Sequence, residues 1–190
     1  MNKLLTEAIG TFFLVLTVGL TVLAETAFAA LAIGCSLMIM VYMGGHISGG
    51  HYNPAVTLAV LLRRGMPSKD AVPYWVAQLV GAVLAALAVR AIVGATFAPA
   101  PGPDATAVAA LLVEVLYTFA LALVVLHTAT APATSGNSYY GLAIGFTLVA
   151  GIYAGGSISG GAFNPAVGVG PILVDVMAGG GTFANLWLYL

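Results

Sequence analysis

Charge is scarce in this sequence. Lys and Arg number five and Asp and Glu six in 190 residues, 6% of the chain, where a soluble domain carries about 25%. So few charges cannot cover a water-soluble fold, which excludes an ordinary cytosolic enzyme, and the apolar content excludes a disordered chain. A net charge of −1 gives a polyanion nothing to hold, so no nucleic-acid partner is expected. The one cysteine, Cys35, excludes a disulfide framework and a cysteine metal cluster. A Ser-His-Asp set, a carboxylate pair and a phosphate-binding loop are all lacking, so no catalytic residue and no enzyme activity are expected. A cleavable leader is not expected either. The apolar run after Met1–Lys3 is too long for a signal core and has no cleavage site.

What is present is apolar: 61% hydrophobic residues at a mean hydropathy of +1.08. The 24 glycines suit close packing between membrane helices. A membrane helix needs roughly 20 apolar residues. Such runs fall at 4–24, 27–45, 71–93, 107–129 and 139–155. Two shorter runs follow Asn53 and Asn164. Each covers about ten residues, some 15 Å as helix, half of a roughly 30 Å hydrocarbon core. Lys3, Arg63, Arg64 and Lys69 share one face, which the positive-inside rule makes cytoplasmic, together with the N-terminus. The proline-rich segment 95–106 would join two halves outside.

The chain repeats itself. Residues 44–56 match 155–167 at ten of thirteen positions, at a constant offset of 111. Leu31-Ala32-Ile33-Gly34 recurs as Leu142-Ala143-Ile144-Gly145. Glu7, Thr11 and Phe12 recur as Glu114, Thr118 and Phe119. The single channel-like domain 1–190 therefore divides into repeat one (1–94), an external linker (95–106) and repeat two (107–190). Each repeat reads span, span, half-span, span. Three crossings is an odd number, so the second repeat is inverted, and its site is expected near the midplane. Irregular backbone at that depth must be buried in protein or line a wet cavity. The Gly-rich stretches before Asn53 and Asn164, with Gly49, Gly50 and Gly160, are such backbone.

Asn caps helices through its side-chain oxygen, and Pro fits the first helical position. Asn53-Pro54-Ala55 and Asn164-Pro165-Ala166 thus read as two helix starts that meet at the midplane. The bland reading is a pair of buried caps. The sharper one is that both amide NH₂ groups stay free and point into a lumen. Two helix N-termini, each worth about half a positive charge, would repel a cation there and pass a neutral solute with an acceptor oxygen.

These boxes, with Gly45-His46-Ile47-Ser48-Gly49-Gly50-His51-Tyr52 before the first, Gly170-Pro171 after the second and the two Glu-x-x-x-Thr-Phe openings, make the chain resemble the aquaporin (major intrinsic protein) family over about 6–190. The resemblance implies an all-α membrane fold with an hourglass channel, a homotetramer in a lipid bilayer, passive flow of water or small neutral solutes, and no cofactor or metal. It places the outer constriction on Ile33, Ile152, Gly161 and Val167. Most water-selective members carry Arg at the position of Val167 and His at that of Ile152. Their loss predicts a wider, less polar mouth that admits ammonia, urea or glycerol. Tyr74–Gly81 opens a full span in repeat one; 186–190 looks like the start of its partner, and the sixth span is largely missing.

Glu7 and Glu114 lie inside predicted spans, where a carboxylate is costly and usually functional. They read as acceptors for loop N–H groups ahead of a proton relay. His46 and His51 bracket the first Gly-rich loop, as loop packing or pore lining, as a pH gate, or as a metal pair lacking a third ligand. A secondary transporter and a non-conducting structural membrane protein are the competing classes. The expected location is a plasma or inner membrane.

Overall fold

The structure is a computed structural model, and it describes residues 2–190. It is built from helices: α1 (Lys3–Leu23), α2 (Ala29–Ser48), α3 (Pro54–Leu62), α4 (Ser68–Val93), α5 (Ala107–Ala129), α6 (Tyr140–Ser159) and α7 (Pro165–Met177), with short 3-10 turns at Pro132–Thr134 and Leu186–Tyr189. Among the described residues five helices are long and apolar enough to cross a membrane: α1, α2, α4, α5 and α6. Each overlaps one of the five predicted spans.

The boundaries differ in one instructive way. α2 and α6 do not stop at Gly45 and Gly155 but run on to Ser48 and Ser159. Each ends at the next residue, Gly49 or Gly160, at φ 95° and 93°, the left-handed conformation that closes a helix and that glycine adopts freely. The irregular backbone is therefore shorter than the Gly-rich motif, covering only 49–53 and 160–164. α3 has the expected length at 9 residues, but α7 is longer, at 13. It continues through Pro171, and Gly170 beside it packs closely against Ala82 of α4.

α1 packs on α2 and α4, α2 on α6, α5 on α6, and α4 on α7. Repeat-related glycines set the central crossing. A Cβ on Gly34 would lie 2.6 Å from the Gly145 carbonyl oxygen, and one on Gly145 2.5 Å from that of Gly34. Gly81 does the same for α1 and α4, where a Cβ would meet the Ala8 carbonyl at 2.3 Å. Gly10, by contrast, makes room for the Tyr52 ring of the first irregular loop. Large apolar side chains such as Leu62, Val76, Leu84, Leu116 and Phe119 stand exposed on the outside, a surface suited to lipid.

Gly34→Ala is expected to destabilise the fold by about 1–3 kcal/mol, because the added methyl meets backbone on the facing helix. Gly45→Ala, whose Cβ would find its nearest neighbour at 3.6 Å, is expected to cost less than about 0.5 kcal/mol. Denaturant unfolding of the two variants in detergent checks the difference.

Candidate functional site

Asn53 and Asn164 cap α3 and α7 as their sequence contexts predict. Asn53 Oδ1 accepts from the Ala55 N–H at 2.9 Å, and Asn164 Oδ1 from the Ala166 N–H at 2.9 Å. The amide nitrogens are not both wholly free, which corrects the sequence expectation. Asn53 Nδ2 donates to the Phe163 carbonyl at 2.9 Å, and Asn164 Nδ2 donates to the Tyr52 carbonyl at 2.9 Å. Each amide thus ties its own helix to the opposite loop with one N–H and keeps the other. Tyr52 and Phe163 adopt φ of 49° and 46°, a left-handed conformation unusual for aromatic residues and typical of constrained sites. That twist aims their carbonyls across the repeat axis. Their rings are buried, 0% and 1% exposed, and hold the twist in place.

The irregular loops present donors to two buried carboxylates, and the acceptor reading of both fits. Glu7 Oε1 accepts from Ser48 Oγ at 2.6 Å and the His51 N–H at 3.0 Å; Oε2 accepts from the Tyr52 N–H at 2.7 Å and Gln78 Nε2 at 2.8 Å. Glu114 Oε1 accepts from Ser159 Oγ at 2.7 Å and the Ala162 N–H at 3.0 Å; Oε2 accepts from the Phe163 N–H at 2.7 Å. Ser48 and Ser159 in turn accept the Gly50 and Gly161 N–H groups, each at 3.1 Å. Tyr74 and Tyr189 close the pattern, donating to the Ser48 and Ser159 carbonyls at 2.8 and 2.7 Å.

Two large cavities meet near these loops. The first, about 490 Å³, is lined by Ile33, Ile152, Gly161 and Val167 and by both Asn53 and Asn164. Gly50 and Gly160 also face it. The second, about 460 Å³, lies toward Lys3 and is lined by His46, Gly49 and Asp70. The residues common to both linings are His51 and Val125, which mark the neck between them. Pro54 and Ala166 line neither cavity, and Ala55 and Pro165 face a smaller lateral one of about 300 Å³ beside Glu114 and Tyr189. These four residues start the helices and leave the wall to others.

The sequence reading missed three contributors. Gln78, fully buried, reaches Glu7 from α4; a lone amide in an apolar span was its only signal. Thr57 stands one turn after Asn53, and its Oγ1 lies 3.1 Å from His51 Nδ1. The segment 97–100 was read only as a connection, yet Phe97, Ala98, Pro99 and Ala100 line the first cavity. Gly102 anchors it by donating to the Ile158 carbonyl at 3.1 Å.

Comparison with known proteins agrees with this architecture. The family model described as Major intrinsic protein matches residues 1–190. Aquaporin NIP1-1 of Oryza sativa subsp. japonica is 36% identical over 200 residues, covering 100% of this chain and 68% of the relative. Glycerol uptake facilitator protein-like 6 of Lactiplantibacillus plantarum is 36% identical over 199 residues, covering 100% and 90%. The X-ray structure of the aquaglyceroporin from Plasmodium falciparum shares the fold at a TM-score of 0.85 and 22% identity, over 99% of this chain and 88% of that one.

Replacing Glu114 by Gln sets an NH₂ group among donors and is expected to cost about 2–3 kcal/mol of stability. Glu7→Gln is expected to cost more, since Glu7 serves Gln78 in addition to the matching serine and two loop N–H groups. Unfolding in detergent micelles ranks the two; equal stability of both variants and the parent would overturn the acceptor role.

Proposed function

The chain belongs to the major intrinsic protein family, and from that premise we propose that it is a passive membrane channel for water and small neutral solutes, with ammonia, urea and glycerol among them. The observation that carries this is the shared lining: both Asn residues and all four constriction positions line one cavity, and His51 and Val125 line both that cavity and a second. A solute crossing this path meets the remaining N–H of each Asn and the positive ends of α3 and α7. Those fixed dipoles hold a hydrogen-bond acceptor and oppose a cation.

Selection rests on the outer wall. Ile33, Ile152, Gly161 and Val167 supply neither side-chain donor nor charge. The constriction therefore filters by width and by the solute's cost of leaving water, and proton exclusion falls to the midplane. This mouth suits a less polar or larger neutral solute better than one ringed by a guanidinium and an imidazole.

In this reading the unit of function is the pair of inverted repeats, 1–94 and 107–190, joined outside by 95–106. The exposed apolar faces meet lipid and sister copies in a homotetramer. The N-terminus is cytoplasmic, in a plasma or inner membrane. A transporter would need ion ligands or a charged substrate partner at the broken helices; the carboxylates there, Glu7 and Glu114, are already taken up by serine hydroxyls and loop N–H groups.

Reconstituted vesicles followed by stopped-flow light scattering test the proposal. Water, urea and glycerol are expected to pass without saturation or ion dependence. Val167→Arg is expected to lower urea and glycerol permeability at least about tenfold, or ~1.4 kcal/mol of barrier, and to slow water less. Passage of water with exclusion of all larger solutes by the parent would sink the open-mouth reading; saturable, ion-dependent flux would favour a transporter, and no flux a structural role.

A further inference from the structure

His51 occupies the neck, and the network behind it fixes which way its ring can use its lumen nitrogen. Glu7 is the start of that network. Its oxygens receive a hydroxyl, two backbone N–H groups and the Gln78 amide, so the Gln78 group facing it must be the NH₂. The same nitrogen reaches Thr57 Oγ1 at 2.9 Å, so Thr57 accepts there. Gln78 Oε1 is left as the one enclosed side-chain nitrogen or oxygen without a partner among the described residues. An unmet buried acceptor is costly. Turning the amide over would set oxygen against oxygen at 2.8 Å from Glu7, so the amide is held in this direction.

Thr57 has one proton and two lone pairs. One lone pair takes the Gln78 N–H. The proton goes to the Asn53 carbonyl at 3.1 Å. The remaining lone pair faces His51 Nδ1 at 3.1 Å. All three contacts are satisfied together only when His51 Nδ1 carries the hydrogen. We infer that His51 is held as the neutral Nδ1–H tautomer, with Nε2 a bare acceptor turned to the passage, and that Gln78 and Thr57 are the positioning residues that set it. Among the described residues His51 Nε2 has no hydrogen-bond partner, and it is not among the enclosed atoms. It lies beside Gly49, where a Cβ would stand 3.0 Å from it. The ring also packs against Tyr74, with centroids 5.3 Å apart.

The consequence for permeants rests on the channel reading. A water held by its oxygen at the Asn pair points its hydrogens away from the midplane. An acceptor at His51 receives those hydrogens, whereas an Nε2–H would oppose them. The neck thereby favours neutral solutes that donate O–H or N–H.

Magic-angle NMR of the full chain in lipid vesicles at pH 8, with ¹⁵N-labelled histidine, tests the assignment; the His51 signals are identified by their loss in His51→Gln. Protonated Nδ1 and bare Nε2 are expected. Thr57→Ser, which keeps the hydroxyl, is expected to retain this signature. Thr57→Val is expected to lose it and to slow water about fivefold, the worth of one neutral hydrogen bond. A parent ring protonated at Nε2, alone or with Nδ1, overturns the inference, as does a Thr57→Val ring unchanged from the parent. Should Thr57→Val fail to fold, the parent spectrum decides. A parent that passes no water refutes the channel reading and leaves the tautomer to the spectrum.

Discussion

The interaction on which everything else depends is the crossed pair of hydrogen bonds between Asn53 Nδ2 and the Phe163 carbonyl and between Asn164 Nδ2 and the Tyr52 carbonyl. Two helices that begin inside a membrane leave their first N–H groups and the preceding loop without water to bond. Each Asn meets this problem on both sides at once. Its oxygen caps its own helix, and its nitrogen satisfies a carbonyl of the opposite loop. Removing either residue exposes an N–H in one repeat and a C=O in the other. The two half-helices are therefore placed relative to one another by polar satisfaction, with little help from apolar contact, which lipid would supply equally well.

That placement in turn needs the loops to hold a twist that aromatic residues disfavour. Tyr52 and Phe163 sit at positive φ, and the carboxylates of Glu7 and Glu114 pin the N–H groups of these same two residues at 2.7 Å. The serine at the end of each preceding helix works with the carboxylate, bridging it to the loop. The chain of dependence runs from α1 or α5 to the carboxylate, to the loop, to the aromatic carbonyl, and finally to the opposite Asn.

Much of this was legible in the sequence because duplication prints itself at a fixed offset. The spans followed from hydropathy, the caps from Asn-Pro, and the acceptor role of the carboxylates from one Glu per irregular loop. The ends of α2 and α6 were misjudged because glycine reads as a breaker, yet Gly44 and Gly45 lie inside a helix and the left-handed form begins only at Gly49 and Gly50. The crossed Asn bonds were invisible because their partners are backbone carbonyls, which sequence does not distinguish. Gln78 and Thr57 were missed for a different reason: Thr57 answers to Gly168 in the repeat, and Gln78 offered only a lone amide in an apolar span. The segment 97–100 lacks periodicity altogether, and its place on the cavity wall follows from the path it must take between the two repeats.

The departures from symmetry carry the direction of the passage. A perfect inverted repeat would present the same chemistry from either side. Here the identical positions build the frame, and the differing ones fall where the two cavities differ. His51 answers to Ala162, and Thr57 to Gly168. The second repeat thus has neither the imidazole nor the hydroxyl that would position it. Ala162 is buried with no polar side chain to offer, and the four positions read as the outer constriction on the first cavity are Ile33, Ile152, Gly161 and Val167. One side of the midplane is an apolar mouth and the other a polar neck. The fold supplies both from a single duplicated scaffold by changing a few side chains that the crossed Asn pair does not use.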